Sequence, residues 1–366
     1  MYGSGPRAWA YGVGMAELFQ PLSLRGLVTH NRVWLPPMCQ YQAVDGVPND
    51  YHLVHYGARA LGGYGLVIAE STGVTPDGRI SPACPGLWNA EQQSAWARIV
   101  EFAHAQGALM AIQLNHAGRK SSTWPALPQY SRGTVPVAEG GWEPVGPSAV
   151  ASEGLATPRA LSAAEVEALP RAFANAASRA VAAGFDALEI HGAHGYLIHQ
   201  FLSPLSNTRT DEWGGSFENR VRLAVEICLA VRAVIPDAMP LIMRVSATDW
   251  VEGGWTPEET TRLAGLLAEA GVDFIDVSSG GNVPAEIPVG PGYQVDVATQ
   301  VRAAGLPVSA VGLITRPEEA AAIVAEERAD VVEVGRAALR DPMWPREAAR
   351  ALGVELTPPP SYARAY

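Results

Sequence analysis

The chain has 366 residues, 48% of them hydrophobic and 17% charged, with a formal net charge of −11 at pH 7. That composition fits a globular protein with a large core, and the acidic balance argues against nucleic acid or an anionic membrane as the main partner. Three scattered cysteines, Cys39, Cys84 and Cys228, offer no disulfide or cluster framework, and no apolar run approaches the roughly 18 residues of a membrane helix, so a cytoplasmic protein without membrane contact is expected.

Residues 1–14, MYGSGPRAWAYGVG, lack the basic end and apolar block of a secretion signal and read as a disordered extension. The rest, 15–366, reads as one domain. Strands are predicted at VWLPPM (33–38), GLVIAEST (65–72), ALMAIQL (108–114), FDALEI (185–190), PLIMRVS (240–246), DFIDVSS (273–279), PVSAVG (307–312) and DVVEVG (330–335). Each is a nearly continuous apolar run, as a parallel strand buried on both faces requires. Amphipathic helical stretches lie between them. The one over 162–184 opens with Ser162 and Glu165 in capping-box spacing and closes at Gly184. Eight strand–helix units without a linker predict a single (β/α)8 TIM barrel. No G-x-G-x-x-G sits between a strand and a helix, which argues against a dinucleotide fold. The Pro- and Gly-rich segment 115–160 after the third strand is long enough to be a lid or binding element.

Chemistry in such barrels gathers at the carboxyl ends of the strands. Those ends carry Pro37-Met38-Cys39-Gln40-Tyr41, Ala69-Glu70, Gln113 with His116, His191 with His194 and Tyr196, Arg244, Ser278-Ser279-Gly280, Gly312, and Gly335-Arg336. A glycine and an arginine after strands seven and eight suit a phosphate, although a turn glycine beside a surface arginine looks the same. His191 and His194 in strict strand geometry point to opposite faces, and Gly192 and Gly195 give the chain freedom to bring both to the barrel mouth. Spacing alone leaves core packing, metal ligation and substrate binding open for the pair.

The stretch EIHGAHGYLIHQFLSPLSNTRTDEWGGSFENR (189–220) closely resembles the signature of the old yellow enzymes, the FMN-dependent ene-reductases. PPMCQY, QLNHAGR, DVSSGG, PGYQV, AVGLI and VGRAALRDP have counterparts in the same order. Cys39, Tyr41 and the ending YARAY resemble the thermophilic-like branch. The resemblance implies non-covalent FMN over the barrel mouth, reduced by NADPH or NADH, as in an NADPH dehydrogenase. Pro37, Met38 and Ala69 would then support the flavin ring, Cys39 would tune it, Gln113 and Arg244 would hold its polar edge, and His191, Ser279 and Val311 would complete its site. Gly312, Gly335 and Arg336 would take the phosphate. His191 and His194 would hold the carbonyl oxygen of an enone, enal or maleimide, Tyr196 would give the proton, and Tyr41 would close the pocket. His199 is expected to pack in the core behind them. Arg364, with Tyr366, would reach a neighbour's site in a homodimer or a dimer-based tetramer. The competing function is a metal-dependent TIM-barrel hydrolase built on His191, His194 and a carboxylate. It lacks the paired H-x-H strand motif, so no metal is expected. Lys120, the sole lysine, lies in a loop rather than a strand, which argues against Schiff-base chemistry. The segment 121–150 is where substrate preference is expected to be set.

Overall fold

The computed structural model describes residues 15–365, so the extension over 1–14 and Tyr366 lie outside the described residues. Eight short strands alternate with helices: β1 (Val33–Leu35), α1 (Asp50–Gly62), β2 (Leu66–Gly73), α2 (Ala90–Ala105), β3 (Met110–Asn115), α3 (Ala163–Ala182), β4 (Ala187–Gly192), α4 (Leu197–Leu202) and α5 (Phe217–Arg232). The second half runs β5 (Leu241–Ser246), α6 (Pro257–Glu269), β6 (Phe274–Ser278), α7 (Val295–Arg302), β7 (Val308–Ala310), α8 (Pro317–Ala325), β8 (Val331–Glu333), α9 (Arg336–Arg340) and α10 (Trp344–Ala351). The strands pair in parallel in chain order, and the sheet closes where Val332 of β8 faces Val33 of β1. The fold is a single (β/α)8 barrel. No helix among the described residues is long and apolar enough to cross a membrane.

The helices start where the sequence supplies acceptors for their free N–H groups. Asn49, Asn89, Ser162 and Thr256 each cap a helix in a reciprocal box with the residue three positions on. For α3 this is the Ser162–Glu165 pair expected from spacing. Gly184, at φ +91°, turns the chain toward β4.

Alternation along the strands sorts the core into two layers. Outward residues such as Leu188, Ile190, Met243, Val245 and Ile275 pack beneath the helices. Inward residues Trp34, Ile68, Ala111, Ala187, Ile242, Phe274 and Val331 fill the barrel, with the Trp34 and Phe274 rings 4.8 Å apart. A hairpin of Leu22–Leu24 and Leu27–Thr29 closes the amino end of the barrel with Leu24. Each large side chain so buried contributes on the order of 1.5–3 kcal/mol. Two residues further along five strands, the inward positions turn polar: Gln113, Glu189, Arg244, Asp276 and Glu333 are all buried. The apolar plug therefore ends just below the mouth, and a charged layer begins.

Candidate active site

Register brings that charged layer together. Gln113 is paired with Glu189, His191 with Arg244, and Arg244 with Asp276. Gln113 Nε2 donates to Glu189 Oε1 at 2.6 Å, and Ser309 Oγ donates to Asp276 Oδ1 at 2.9 Å. Arg244 Nε lies 2.8 Å from Asp276 Oδ2 at an angle too bent for a hydrogen bond, and its guanidinium is 3.9 Å from Glu333. Burial, then mutual repulsion, pushes the carboxyls of Glu189 and Glu333 up, and burial does the same to Asp276, while Arg244 opposes each shift. Ligand atoms of Glu189, Asp276 and Glu333 lie within 4.8 Å of one another, close enough to hold a metal, but Arg244 already supplies the positive charge there. Neither His191 nor His194 belongs to that group, so the metal constellation considered from sequence is not the one that forms.

The turn after β4 is built differently from the sequence expectation. Gly192 stays in the strand, where a Cβ would meet Met243 Cε at 2.2 Å and Arg244 O at 2.9 Å. It is needed for close packing. The left-handed residues are His194 itself (φ +58°) and Gly195 (φ +71°). Reversal at His194 carries its ring back to 5.2 Å from that of His191, at 82°, and the Tyr196 ring lies 4.9 Å from His191. Tyr41, on the facing loop, is also at positive φ (+55°). Such strain in bulky residues gathers where function demands a particular side-chain direction.

Proton positions follow from the partners. The Ala193 N–H points at His191 Nδ1 (3.3 Å), which makes Nδ1 the acceptor and leaves the hydrogen of the neutral ring on Nε2. His194 Nε2 lies 2.7 Å from Ser278 Oγ, and its backbone N–H donates to Ser246 Oγ at 2.9 Å. Burial, then the Arg244 charge, holds both imidazoles well below their ordinary pKa, so both are neutral. Burial, then the neighbouring Cys39, keeps the Tyr196 phenol well above its ordinary range. Two neutral rings and one protonated phenol therefore converge. His199 is fully buried, with Nε2 3.0 Å from Asp249 Oδ1, and its Nδ1 accepts the Gly195 N–H at 2.9 Å. It props the turn from behind.

Two cavities meet the rest of the sequence list. One, about 280 Å³, is lined by Pro37, Met38, Arg244, Ser278, Val311, Gly312, Gly335 and Arg336, all but Ser278 of them proposed flavin contacts. Its wall also includes Tyr293, Gln294 and the run Leu313–Thr315, which sequence reasoning did not select. Ser279 is not on that wall: its hydroxyl donates to Gln294 Oε1 at 2.6 Å. Ala69 is fully buried in β2, and Cys39 packs against Cys84. A hydrogen bond with the Cys84 thiol, then burial, pushes the Cys39 thiol up, so two cysteines that look unrelated in sequence are neighbours. The second cavity, about 980 Å³, is lined by Tyr41, Lys120, Trp124, Tyr130 and Tyr196, with the Trp124 and Tyr130 rings stacked at 6.0 Å. The 115–160 segment thus does form a cleft wall. Arg364 lines neither cavity and is exposed on the terminal turn Pro360–Ala365.

A flat ring with an anionic tail fits the first cavity. Pro37, Met38 and Val311 give an apolar wall, and Arg244, whose Nε has no hydrogen-bond acceptor, gives a cation at one end. Gly335 and Arg336 begin α9, where backbone N–H groups lack helical acceptors and suit a phosphate. FMN has that shape and charge. The model of the NADH:flavin oxidoreductase / NADH oxidase family matches residues 17–355. The chain belongs to this family. It is 44% identical to an NADPH dehydrogenase of Halalkalibacterium halodurans over 96% of this chain and 99% of that one. Its fold superposes on morphinone reductase in complex with tetrahydroNAD with a TM-score of 0.77, at 31% identity, covering 94% of this chain and 93% of the other. A 2-naphthoyl-CoA reductase complex gives a TM-score of 0.83 at 27% identity, covering 92% of this chain and 52% of that longer one. This old yellow enzyme family member is an FMN-dependent NAD(P)H oxidoreductase, and the metal-hydrolase alternative falls.

Proposed function

We propose that the protein is an ene-reductase, reducing the C=C bond of α,β-unsaturated carbonyl compounds with electrons from NAD(P)H in a ping-pong cycle. FMN, when bound, supplies the two-electron carrier that takes hydride from the nicotinamide and returns it to the alkene β-carbon. In this reading Pro37, Met38, Cys39, Ala69 and Val311 support the ring, Gln113 and Arg244 hold its polar edge, and Gly312, Gly335 and Arg336 bind the phosphate.

The single observation that carries the reading is the convergence of two neutral imidazoles and one protonated phenol, with the His191 ring 5.2 Å from that of His194 and 4.9 Å from that of Tyr196, the Tyr196 side chain lining the second cavity. As hydride arrives at the β-carbon, negative charge builds on the carbonyl oxygen. His191, with its hydrogen fixed on Nε2, can donate to that oxygen. His194 can do the same from Nδ1 in the tautomer whose Nε2 accepts a hydrogen bond from the Ser278 hydroxyl. Donors so aimed are worth on the order of 10²–10³ in rate. Tyr196 holds its proton until the α-carbon becomes basic enough to take it. The product thus gains one hydride and one proton, and Tyr196 regains its proton from water. Tyr41 and Tyr196 share the cleft, so nicotinamide and enone take turns in it. Arg364 serves a second copy of the chain, since it does not reach its own cleft.

The test is an anaerobic absorbance titration with NADPH and then 2-cyclohexenone. Bleaching of the flavin band, then its return with formation of cyclohexanone, is the expected result. A band that bleaches and is not restored by any enone overturns the ene-reductase reading.

A further inference from the structure

The group that ties the two halves of this cleft together is Lys120, the chain's sole lysine, in the turn Gly118–Lys120 after β3. Its Nζ donates to His194 O at 2.7 Å and to Gly281 O, in the loop after β6, at 2.9 Å. The ammonium lies 5.0 Å from the centroid of the Tyr196 ring. An ammonium has three donors and no acceptor, so two are consumed by backbone carbonyls and one remains for the cleft that Lys120 lines. The side chain is fixed from below. Arg119 is buried, its guanidinium donating to Val150 O (3.1 Å), Asn282 O (2.7 Å) and Asn282 Oδ1 (2.9 Å), and its N–H donates to Gln200 Oε1 (3.1 Å).

We propose that Lys120 is a positioning residue for the chemistry at Tyr196, clamping the left-handed His194 backbone to the β6 loop and setting a fixed positive charge opposite any anionic oxygen held by His191 and His194. The inference rests on the ene-reductase reading of the cleft. A cation on the face of an aromatic ring favours negative charge in that ring, so the ammonium also lowers the cost of the tyrosinate left when Tyr196 gives up its proton. Without this charge the enolate oxygen would develop between neutral donors only.

The two functions of Lys120 separate with pH. Burial, then the charge of Arg119 on the same turn, brings the ammonium down to about 8. Around it stand His191 and His194 of the β4 turn, Tyr196 at the start of α4, and Tyr41, Arg132 and Glu153 on the same cavity wall. Above pH 8 the neutral amine can still donate to both carbonyls, so the clamp persists while the charge is lost. The imidazoles are already neutral and Tyr196 is still protonated in that range. Buried Glu70 and Glu189 are also raised to about 8 and would gain negative charge over the same interval. Replacing the lysine by arginine distinguishes these sources, because it leaves both acids in place.

The test measures binding of pentafluorophenolate, ionised throughout pH 6.5–9.5, to the FMN-bound protein by calorimetry. Wild type is expected to bind with constant affinity to about pH 7 and to weaken on the order of tenfold as pH rises through 8. Lys120→Arg should keep tight binding across the range, and Lys120→Met should bind weakly at every pH with a flat profile. A fall near pH 8 that persists in Lys120→Arg assigns the titration to the buried acids and overturns the proposal, as does a flat profile in wild type. Should Lys120→Met fail to fold, wild type and Lys120→Arg alone decide the matter. If wild type takes up no phenolate at any pH, the ene-reductase reading of the cleft falls, and this inference with it.

Discussion

In the proposed reaction Tyr196 would be useful as an acid because it is a poor one. Burial, then Cys39 and Tyr41, keeps its proton on at neutral pH, so it is released only to a site as basic as the α-carbon at the moment of hydride arrival. Tyr196→Phe is expected to slow reoxidation of the reduced protein by enone about 10²–10⁴-fold. Stopped-flow comparison of the two half-reactions checks this, and equal slowing of the NADPH step would remove Tyr196 from the proton-donor role. The strand ends mark His191, His194, Tyr196 and Tyr41 as candidates, because chemistry-bearing residues crowd there, while the roles proposed for them come from the family resemblance. Lys120 is not so marked. Its place in a loop argues only against Schiff-base chemistry, and its rarity is the available signal, since one lysine among 26 basic residues stands out. Trp124 and Tyr130 carry no comparable mark, because their places depend on loop paths that no periodicity encodes, and Gln294 is marked only by lying within the matched stretch PGYQV.

At the scale of elements, the turn from β4 into α4 does most to shape the site. It needs left-handed backbone at two successive residues, and a prop. Gly195 supplies the second left-handed position, and a Cβ there would fall 2.3 Å from Gly281 O and 2.7 Å from Asn282 Cα, both backbone atoms. Neither atom can move without dragging the β6 loop, which Lys120 and His194 also hold. Gly195→Ala is therefore expected to destabilise the fold by about 1–3 kcal/mol and to weaken phenolate binding more than flavin binding. Chemical denaturation and paired titrations measure both, and an unchanged midpoint with unchanged phenolate affinity would contradict the account. The eight strands could be placed from sequence because parallel strands buried on both faces read as apolar runs. The hairpin of Leu22–Leu24 and Leu27–Thr29 went unseen, because three-residue strands are too short to show a period of two. Within the strands the charged layer was visible in hindsight as a polar residue two positions after an inward apolar one, as Ala187 and Glu189 or Phe274 and Asp276 show. Gln113 and Arg244 stand out in those runs as polar-edge candidates, whereas Glu189, Asp276 and Glu333 are masked by the apolar residues around them.

Across the whole molecule, the barrel separates stability from chemistry along its axis. An apolar plug fills the amino end, a charged layer around Arg244 lies above it, and the groups proposed to hold substrate stand toward the mouth. One position remains apart from that axis. Arg364 is exposed on the terminal turn and lines neither cavity of its own chain, so a role in substrate binding requires a second copy. Mixing chains tests this directly. Arg364→Ala lacks the reaching arginine but keeps Tyr196, whereas Tyr196→Phe keeps Arg364 and lacks the acid. If the arginine acts across a dimer, the Arg364→Ala chain in a mixed dimer has its own Tyr196 and receives Arg364 from its neighbour. Random pairing makes half of the dimers mixed, with one complete site in each, so enone reduction should recover to about a quarter of the wild-type level. If the arginine acts within its own chain, neither chain ever holds both groups, and the mixture stays as slow as the average of its parents.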